Sequence, residues 1–397
     1  FRNLEFPFGT ISFIWNSMMS WAGGWFFLMA AEIFTVGDKD FRLPGLGSFL
    51  HEASDKGNYT AIMFGVVTLI LIIVILDQVI WRPLLAWSDK FKFEMTTGDD
   101  PPGSWFYSVI VNSNIVYSIK ENILFPIGRK IDLFFSRRSK PVVPVEHSKA
   151  SDLAAKIAVY FTGGIILIGL AGAGVMLVEV GPADWLEILL GVFATFLRVC
   201  AALLIAFMWT IPVGVLIATN KKVARFLQPM VQIFASIPAT ALFPVVLMFV
   251  ITLPFGVNLA SILLMLMGTQ WYLLFNIIAG ASAIPQDLKY TARLLHLGQI
   301  KKWKTLILPA LFPYLITGAI AAGGGAWNAS VVAEFVTFSG NTVSTIGIGS
   351  SIAKATAEGN FPKLLASTLV MVITVVLINR FFWRRLYHLA EDRFKLE

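Results

Sequence analysis

Only one cysteine stands in the chain, Cys200, inside an apolar run. That excludes a disulfide framework and any cysteine-based zinc site. The four histidines, His51, His147, His296 and His388, show no metal-ligand spacing. No G-x-x-x-x-G-K-[ST] occurs, so the sequence carries no P-loop of its own and no ATP or magnesium site is expected in it. Charge is scarce as well. Asp, Glu, Lys and Arg make up 14% of the 397 residues, where a soluble domain has about 25%. Apolar side chains take that place: 57% of residues are hydrophobic and mean hydropathy is +0.75. The composition is that of an all-α polytopic membrane protein embedded in a lipid bilayer. A helix needs roughly 20 apolar residues to cross. Stretches at 60–80, 157–177, 189–218, 234–251, 259–283, 311–332 and 364–378 qualify. Residues 10–35 add another, interrupted by Asn16 and paired glycines, for about eight spans in all. The period-two alternation of a membrane barrel is absent.

The net charge of +7 does not argue for nucleic acid as a partner. In a membrane protein Lys and Arg report topology instead. They gather at 81–156, 221–225, 289–304 and 380–395, whereas the connections at 37–57, 179–187 and 339–360 are poor in net positive charge. Basic loops stay inside, so the four basic groups and the C-terminus are expected in the cytoplasm, in a cell (inner) membrane. Between residues 88 and 150 lies a linker. "TTGDDPPGS" breaks the chain with turn residues. The aromatic and basic stretch from Trp105 to Arg138 reads as interfacial helix, and "SKPVVPVEHSKASD" as extended linker.

The chain repeats itself. "GLGSFLHEASDKGNY" starts at Gly45 and "GIGSSIAKATAEGNF" at Gly347, an offset of 302. Held without gaps over the first 92 residues, that offset gives 18 identities, among them Pro7/Pro309, Gly23/Gly325, Trp25/Trp327, Glu32/Glu334, Gly57/Gly359, Asn58/Asn360 and Trp81/Trp383. The matches fall on Gly, Trp, Glu and Pro as well as on common apolar residues. The expected organisation is therefore two fused repeats with the first truncated. Residues 1–92 supply the last two spans of a first repeat, 93–150 a cytoplasmic or interfacial linker, and 151–397 a complete second repeat of about six spans. In each repeat "GxGS" reads as a turn with Ser48 or Ser350 capping a short helix, and "GN" turns the chain into the last span. Repeats of this kind build a path at their interface.

Between two membrane-grade stretches lies "KYTARLLHLGQIKKWKTLILP", Lys289 to Pro309. It resembles the EAA loop of ABC importer permeases, the binding-protein-dependent transport family. That motif reads Glu-Ala-Ala, three residues, Gly, nine residues, Ile-x-Leu-Pro. Anchored on Leu308-Pro309, it falls on Tyr290, Thr291, Ala292, then His296, then Leu306 to Pro309, with Gly298 two residues after the departed glycine. The degeneracy is similar to the nitrate/sulfonate/taurine/bicarbonate branch, as are "SIPATALFPVVLM" and "AWNASVVAEF". The resemblance covers about 180–397 and reaches 1–92 through the repeat. It implies a type I ABC importer transmembrane fold and a permease subunit for a small anion. It also implies two cytoplasmic ABC ATPase subunits and an extracytoplasmic solute-binding protein as partners. In the family this loop, here 284–309, forms a short helix that couples to the ATPase. Ala292, Leu294 and Leu295 would face the partner, Arg293 and the lysines would stay in water, and Pro309 would end the loop helix and open the next span.

Several polar or bulky residues lie at membrane depth and are candidates for the path: Arg198, Gln270, Asn276, Asn328, Trp25 and Trp327. Arg198 is a charge that costs energy in a bilayer; it could meet an anion or pair locally. Glu32 and Glu334 would repel an anion and suit a structural or gating role. Pro238 and Pro244 are expected to kink the span at 234–251. The rival reading is an ion-gradient-driven secondary transporter, which needs carboxylates or histidines free at depth. Glu32 and Glu334 are its candidates. No enzyme site is expected.

Overall fold

In the computed structural model, residues 5–26, 28–36, 39–91, 104–113, 117–118, 121–122, 125–138, 149–237, 239–250, 252–338 and 341–394 are described. Helix α1 (Glu5–Phe26) and the short α2 (Leu28–Glu32) lead into an antiparallel ribbon, β1 (Ile33–Val36) with β2 (Lys39–Arg42). Next come α3 (Leu46–Asp55) and α4 (Tyr59–Leu76). A π-helical turn at Asp77–Trp81 carries α4 into α5 (Arg82–Ser88). Then follow α6 (Trp105–Val111), α7 (Phe125–Arg138) and α8 (Lys149–Val178). The second half opens with α9 (Pro182–Thr219), α10 (Lys221–Ser236), α11 (Ala239–Val250), α12 (Gly256–Ser282) and α13 (Gln286–Leu294). Helix α14 (Gln299–Lys302), a π-helical turn at Trp303–Ile307 and α15 (Leu308–Ala333) run on as one helix. A second ribbon, β3 (Phe335–Phe338) with β4 (Asn341–Ser344), precedes α16 (Ile348–Glu358). Helix α17 (Phe361–Ile378), a π-helical turn at Asn379–Trp383 and α18 (Arg384–Phe394) complete the fold.

The fold is helical and polytopic. Among the described residues six helices are long and apolar enough to cross a membrane: Tyr59–Ser88, Lys156–Val178, Pro182–Thr219, Gly256–Ser282, Gln299–Ala333 and Phe361–Asp392. Two of the eight expected spans, 10–35 and 234–251, are not among these six. The apolar stretch 234–251 is not one helix. Ile237 leaves helical geometry at ψ 124, separating α10 from α11. A residue before proline is pushed into extended backbone, and Pro238 follows it. Pro238 itself and the side chain of Pro244 lie outside the described residues. The stretch 10–35 is divided between α1 and α2. Within "SKPVVPVEHSKASD", helix α8 already begins at Lys149 rather than after an extended linker. The purely helical expectation also missed the two ribbons.

Pro309 does not break its helix. Proline lacks the N–H and crowds the carbonyl four residues back. The chain absorbs this by widening one turn, Trp303–Ile307, just before it. Pro83 follows the turn Asp77–Trp81 in the same way. The third such turn, Asn379–Trp383, has Arg385 at the equivalent place, so proline is not the sole cause.

The 302-residue offset holds element by element. β1, β2, α4 and the turn Asp77–Trp81 shift onto β3, β4, α17 and the turn Asn379–Trp383 with the same bounds. The ribbon register shifts likewise, Ile33↔Arg42 onto Phe335↔Ser344. Gly57 and Gly359 both take positive φ, 61° and 68°. Asn58 and Asn360 both cap the next helix, accepting from the N–H of Ala61 and of Lys363.

The chain divides into two compact units. One comprises Phe1–Met18 and Val74–Val175, the other Met19–Ile73 and Met176–Glu397. In the first, Arg82 Nε donates to Asp77 Oδ2 at 3.0 Å and Trp105 Nε1 donates to Gln78 Oε1 at 3.3 Å. In the second, α9, α12 and α15 pack around Leu264, Met265, Leu273, Ile277 and Leu311, all buried. The α15 face is built from Ala319, Ala322, Ala326 and Ala329. Small residues let membrane helices approach closely, since dispersion and not the hydrophobic effect holds them. Gly318 marks a tight point: a Cβ there would lie 3.1 Å from Asn276 Cβ and 3.4 Å from the Leu273 Cα. Gly318→Val is therefore expected to cost about 1–3 kcal/mol by overpacking. Thermal unfolding of the detergent-purified protein reads it, and a variant as stable as the parent would contradict this packing.

Candidate functional site

Two polar regions stand out, at opposite ends of the helix Gln299–Ala333. At the ribbon end, Thr195 and Arg198 lie three apart on α9 and so share a face. Glu334 closes α15 immediately before β3. Arg198 is 7% exposed and Glu334 0%. Arg198 Nη1 donates to Glu334 Oε1 at 2.6 Å. Its Nη2 donates to Asn258 Oδ1 at 2.6 Å, to Ile346 O at 2.7 Å and to Thr345 Oγ1 at 3.0 Å, and Nε also donates to Asn258. Thr195 Oγ1 donates to Glu334 Oε1 at 2.7 Å and accepts from Ile348 N at 2.9 Å. All three guanidinium nitrogens thus donate to protein groups.

The Glu334 carboxylate has a second task. Its Oε2 accepts from Gly349 N at 3.0 Å and from Ser350 N at 3.4 Å. These are orphan donors of the first turn of α16, where negative charge is favoured. The expected serine cap is therefore corrected. The cap position is Gly347, with no side-chain cap bond, and the capping group comes from Glu334. A Cβ on Gly347 would run into that carboxylate, and one on Gly349 into the Ser330 carbonyl. Glu32 repeats the arrangement: its Oε2 accepts from Ser48 N at 2.9 Å, and a Cβ on Gly45 would strike it. Thr195, Asn258 and Thr345 were not anticipated from sequence. The only signal for them was the one-turn spacing of Thr195 from Arg198.

The other expected path residues separate. Trp327 is 4% exposed and belongs to the core, while its neighbour Asn328 is exposed. Trp25 is half-buried. Gln270 Oε1 accepts from Trp209 Nε1 at 3.1 Å, and Asn276 Nδ2 donates to the Tyr272 carbonyl at 2.7 Å. Among the described residues no group of three or more His, Cys, Asp or Glu is placed to hold a metal ion.

At the loop end the basic segment is two helices, not one. Helix α13 stops at Leu294. His296 N then donates to Arg293 O at 2.9 Å and Leu297 N to Ala292 O at 3.1 Å. This is a Schellman ending, which needs a left-handed residue, usually glycine, just past the helix. His296 fills that place with φ 46°. It stands where the loop motif has glycine, so the motif's glycine has a backbone reason and the histidine is held at some strain. Gly298, in extended backbone, starts the next helix. Ala292 is 7% exposed and faces inward, whereas Leu294 is 79% exposed, Ile300 74%, and Tyr290, Arg293, Leu295 and Leu308 are open. Thr291 donates to Asp287 O, and Arg293 lies 5.8 Å from the Tyr290 ring. Pro309 sits within the continuous helix beyond.

Residues 210–395 match the family described as binding-protein-dependent transport system inner membrane component. The match covers nearly half of the chain. The chain is 30% identical over 189 residues to the bicarbonate transport system permease protein CmpB of Synechococcus elongatus, an alignment covering 47% of this chain and 64% of the relative. It is 29% identical over 187 residues to the nitrate import permease protein NrtB of Leptolyngbya laminosa, covering 47% and 63%. A probable ABC transporter permease protein of Brucella melitensis aligns at 26% identity over 235 residues, 55% of this chain and 87% of the relative. The chain thus spans under two thirds of the first two relatives' own length.

Two outcomes follow from this geometry. Arg198→Met strands a buried carboxylate and is expected to cost about 3–5 kcal/mol, while adding Glu334→Gln should restore much of that loss. Thermal unfolding of the single and double variants decides; an equal loss in both would argue against the pair as organiser. His296→Gly should relieve about 1 kcal/mol of left-handed strain. Amide exchange at Leu297 should then slow about fivefold, and a rate matching the parent's would count against the strain.

Proposed function

We propose that this chain is the transmembrane permease subunit of an ATP-driven importer. It takes a small anion of the nitrate/sulfonate/taurine/bicarbonate type, and partner subunits hydrolyse the ATP. The observation that carries the coupling is the loop end. A short helix with an exposed apolar face, Tyr290, Leu294 and Leu295, stops sharply at the motif position, with Ile300 beside it. Large apolar side chains gathered in the open mark a protein contact. Two cytoplasmic ATPase subunits are the proposed partners. This places the loop and the C-terminus in the cytoplasm, and the ribbons outside, where a solute-binding protein docks. The basic residues around the loop support that orientation. The anion class rests on the chain's similarity to nitrate and bicarbonate permeases.

We also propose that 1–92 and 151–397 are repeats of one permease unit, joined by a linker at 93–150. The equal bounds of ribbon, helix and π-helical turn at one offset support it. A secondary transporter finds less support. Glu334, a carboxylate it would use, is bonded to Arg198 and caps α16, so it is not available to exchange a proton or an ion.

The test is co-purification from native membranes with an ATPase assay. Tyr290→Asp and Leu294→Asp change exposed side chains and should leave the fold intact. Each should lower recovery of the ATPase by about tenfold or more, as loss of a buried apolar anchor does. Full recovery with both variants, or a parent that transports on an ion gradient without an ATPase, would overturn the reading.

A further inference from the structure

Tyr272 stands between two equivalent points of the repeat. Gly23 and Gly325 correspond at the 302-residue offset. A Cβ added to Gly23 would collide with the Tyr272 hydroxyl, and one added to Gly325 would lie 3.6 Å from Tyr272 Cε2. One ring therefore lies beside the same glycine in both halves. A path between parallel repeats runs at their interface. Gly23 makes room for the hydroxyl, whereas a Cβ at Gly325 would be in ordinary van der Waals contact with the ring.

The hydroxyl is unspent. On α12, Asn258, Ser261, Thr269, Gln270 and Asn276 all have hydrogen-bond partners. Among the described residues the Tyr272 hydroxyl has none. A polar group at membrane depth is costly unless it meets protein, water or a ligand. The charged alternatives are already engaged: each guanidinium nitrogen of Arg198 donates to protein, and Glu334 would repel an anion. A phenol is neutral and can donate to an oxyanion without burying a lone charge.

We infer that the Tyr272 hydroxyl lines the path between the repeats and hydrogen-bonds the passing anion, a deepening that rests on the importer reading. The Asn276 amide lies one helical turn further on the same face. Gly23 is then needed because any side chain there would displace the donor.

The test has two arms. In the first, Tyr272→Cys is placed in the Cys200→Ser protein, which leaves a single thiol. Native membranes are treated with a charged methanethiosulfonate. The thiol should react, and millimolar nitrate or bicarbonate should slow the reaction. A thiol that stays unreactive, or one that neither anion protects, overturns the inference. This arm does not need ATP, so it decides even if the importer reading fails.

The second arm measures ATP-driven uptake of nitrate and of bicarbonate by the intact transporter. Tyr272→Phe should raise KM about tenfold, as loss of a hydrogen bond to a charged group does, with the ATPase still bound. Gly23→Ala should act alike. Gly24→Ala, whose Cβ would meet nothing within 4 Å, should not. An unchanged KM in Tyr272→Phe overturns the inference. A parent that imports neither anion overturns the importer reading and leaves the labelling arm to judge Tyr272.

Discussion

One buried ion pair organises the ribbon end of the second unit. Burying Arg198 or Glu334 alone would cost several kcal/mol, and their attraction offsets this only if the remaining hydrogen-bonding capacity is also met. It is met here. The guanidinium reaches α9's neighbours on every side: α15 through Glu334, α12 through Asn258, and the approach to α16 through Thr345 and Ile346. The carboxylate in turn caps α16 through Gly349 and Ser350. Four helices are thus fixed by two side chains. Glycine at 347 follows from that constraint, because the backbone must come within reach of a buried carboxylate, and glycine at 349 from the close Ser330 carbonyl.

The first half reuses part of this scheme. Glu32 receives the N–H of Ser48, the counterpart of Ser350, and Gly45 leaves room for it. Among the described residues no ion pair engages Glu32, and it is only half-buried. The carboxylate cap is thus separable from the ion pair. The cap is local, linking residues about 16 apart, and travels with the repeated segment. The cation arrives from another helix 136 residues away in sequence.

This explains what could be read from the sequence. The recurrence at one offset could be read from the sequence because several of the recurring Gly, Glu and Asn have a local backbone task. The positive φ of Gly57 and Gly359 and the caps of Asn58 and Asn360 are of this kind. At the position where the expected loop motif has glycine, the Schellman ending of α13 fixes a left-handed residue, here His296. The pairing of Arg198 with Glu334 was not legible, since nothing in a sequence records which distant helices pack together. Nor was helix rotation. Adjacent residues Trp327 and Asn328 differ in burial because a helix turns 100° per residue, and composition alone does not phase it. The ribbons were hidden because four-residue strands in apolar surroundings give no clear alternation.

The two ends of the second unit are joined by a single rod. The helix Gln299–Ala333 contains 35 residues, or about 50 Å at 1.5 Å per residue. It begins at the Schellman turn of His296 and ends at Glu334. Gly325, which meets the Tyr272 ring, lies near its ribbon end. A straight α-helix would be broken or kinked at Pro309, and motion at the loop would be lost there. The π-helical turn at Trp303–Ile307 instead keeps the backbone continuous through the proline. On the proposed reading, a partner seated on α13 therefore holds one end of a continuous rod whose other end is clamped by the Arg198–Glu334 pair.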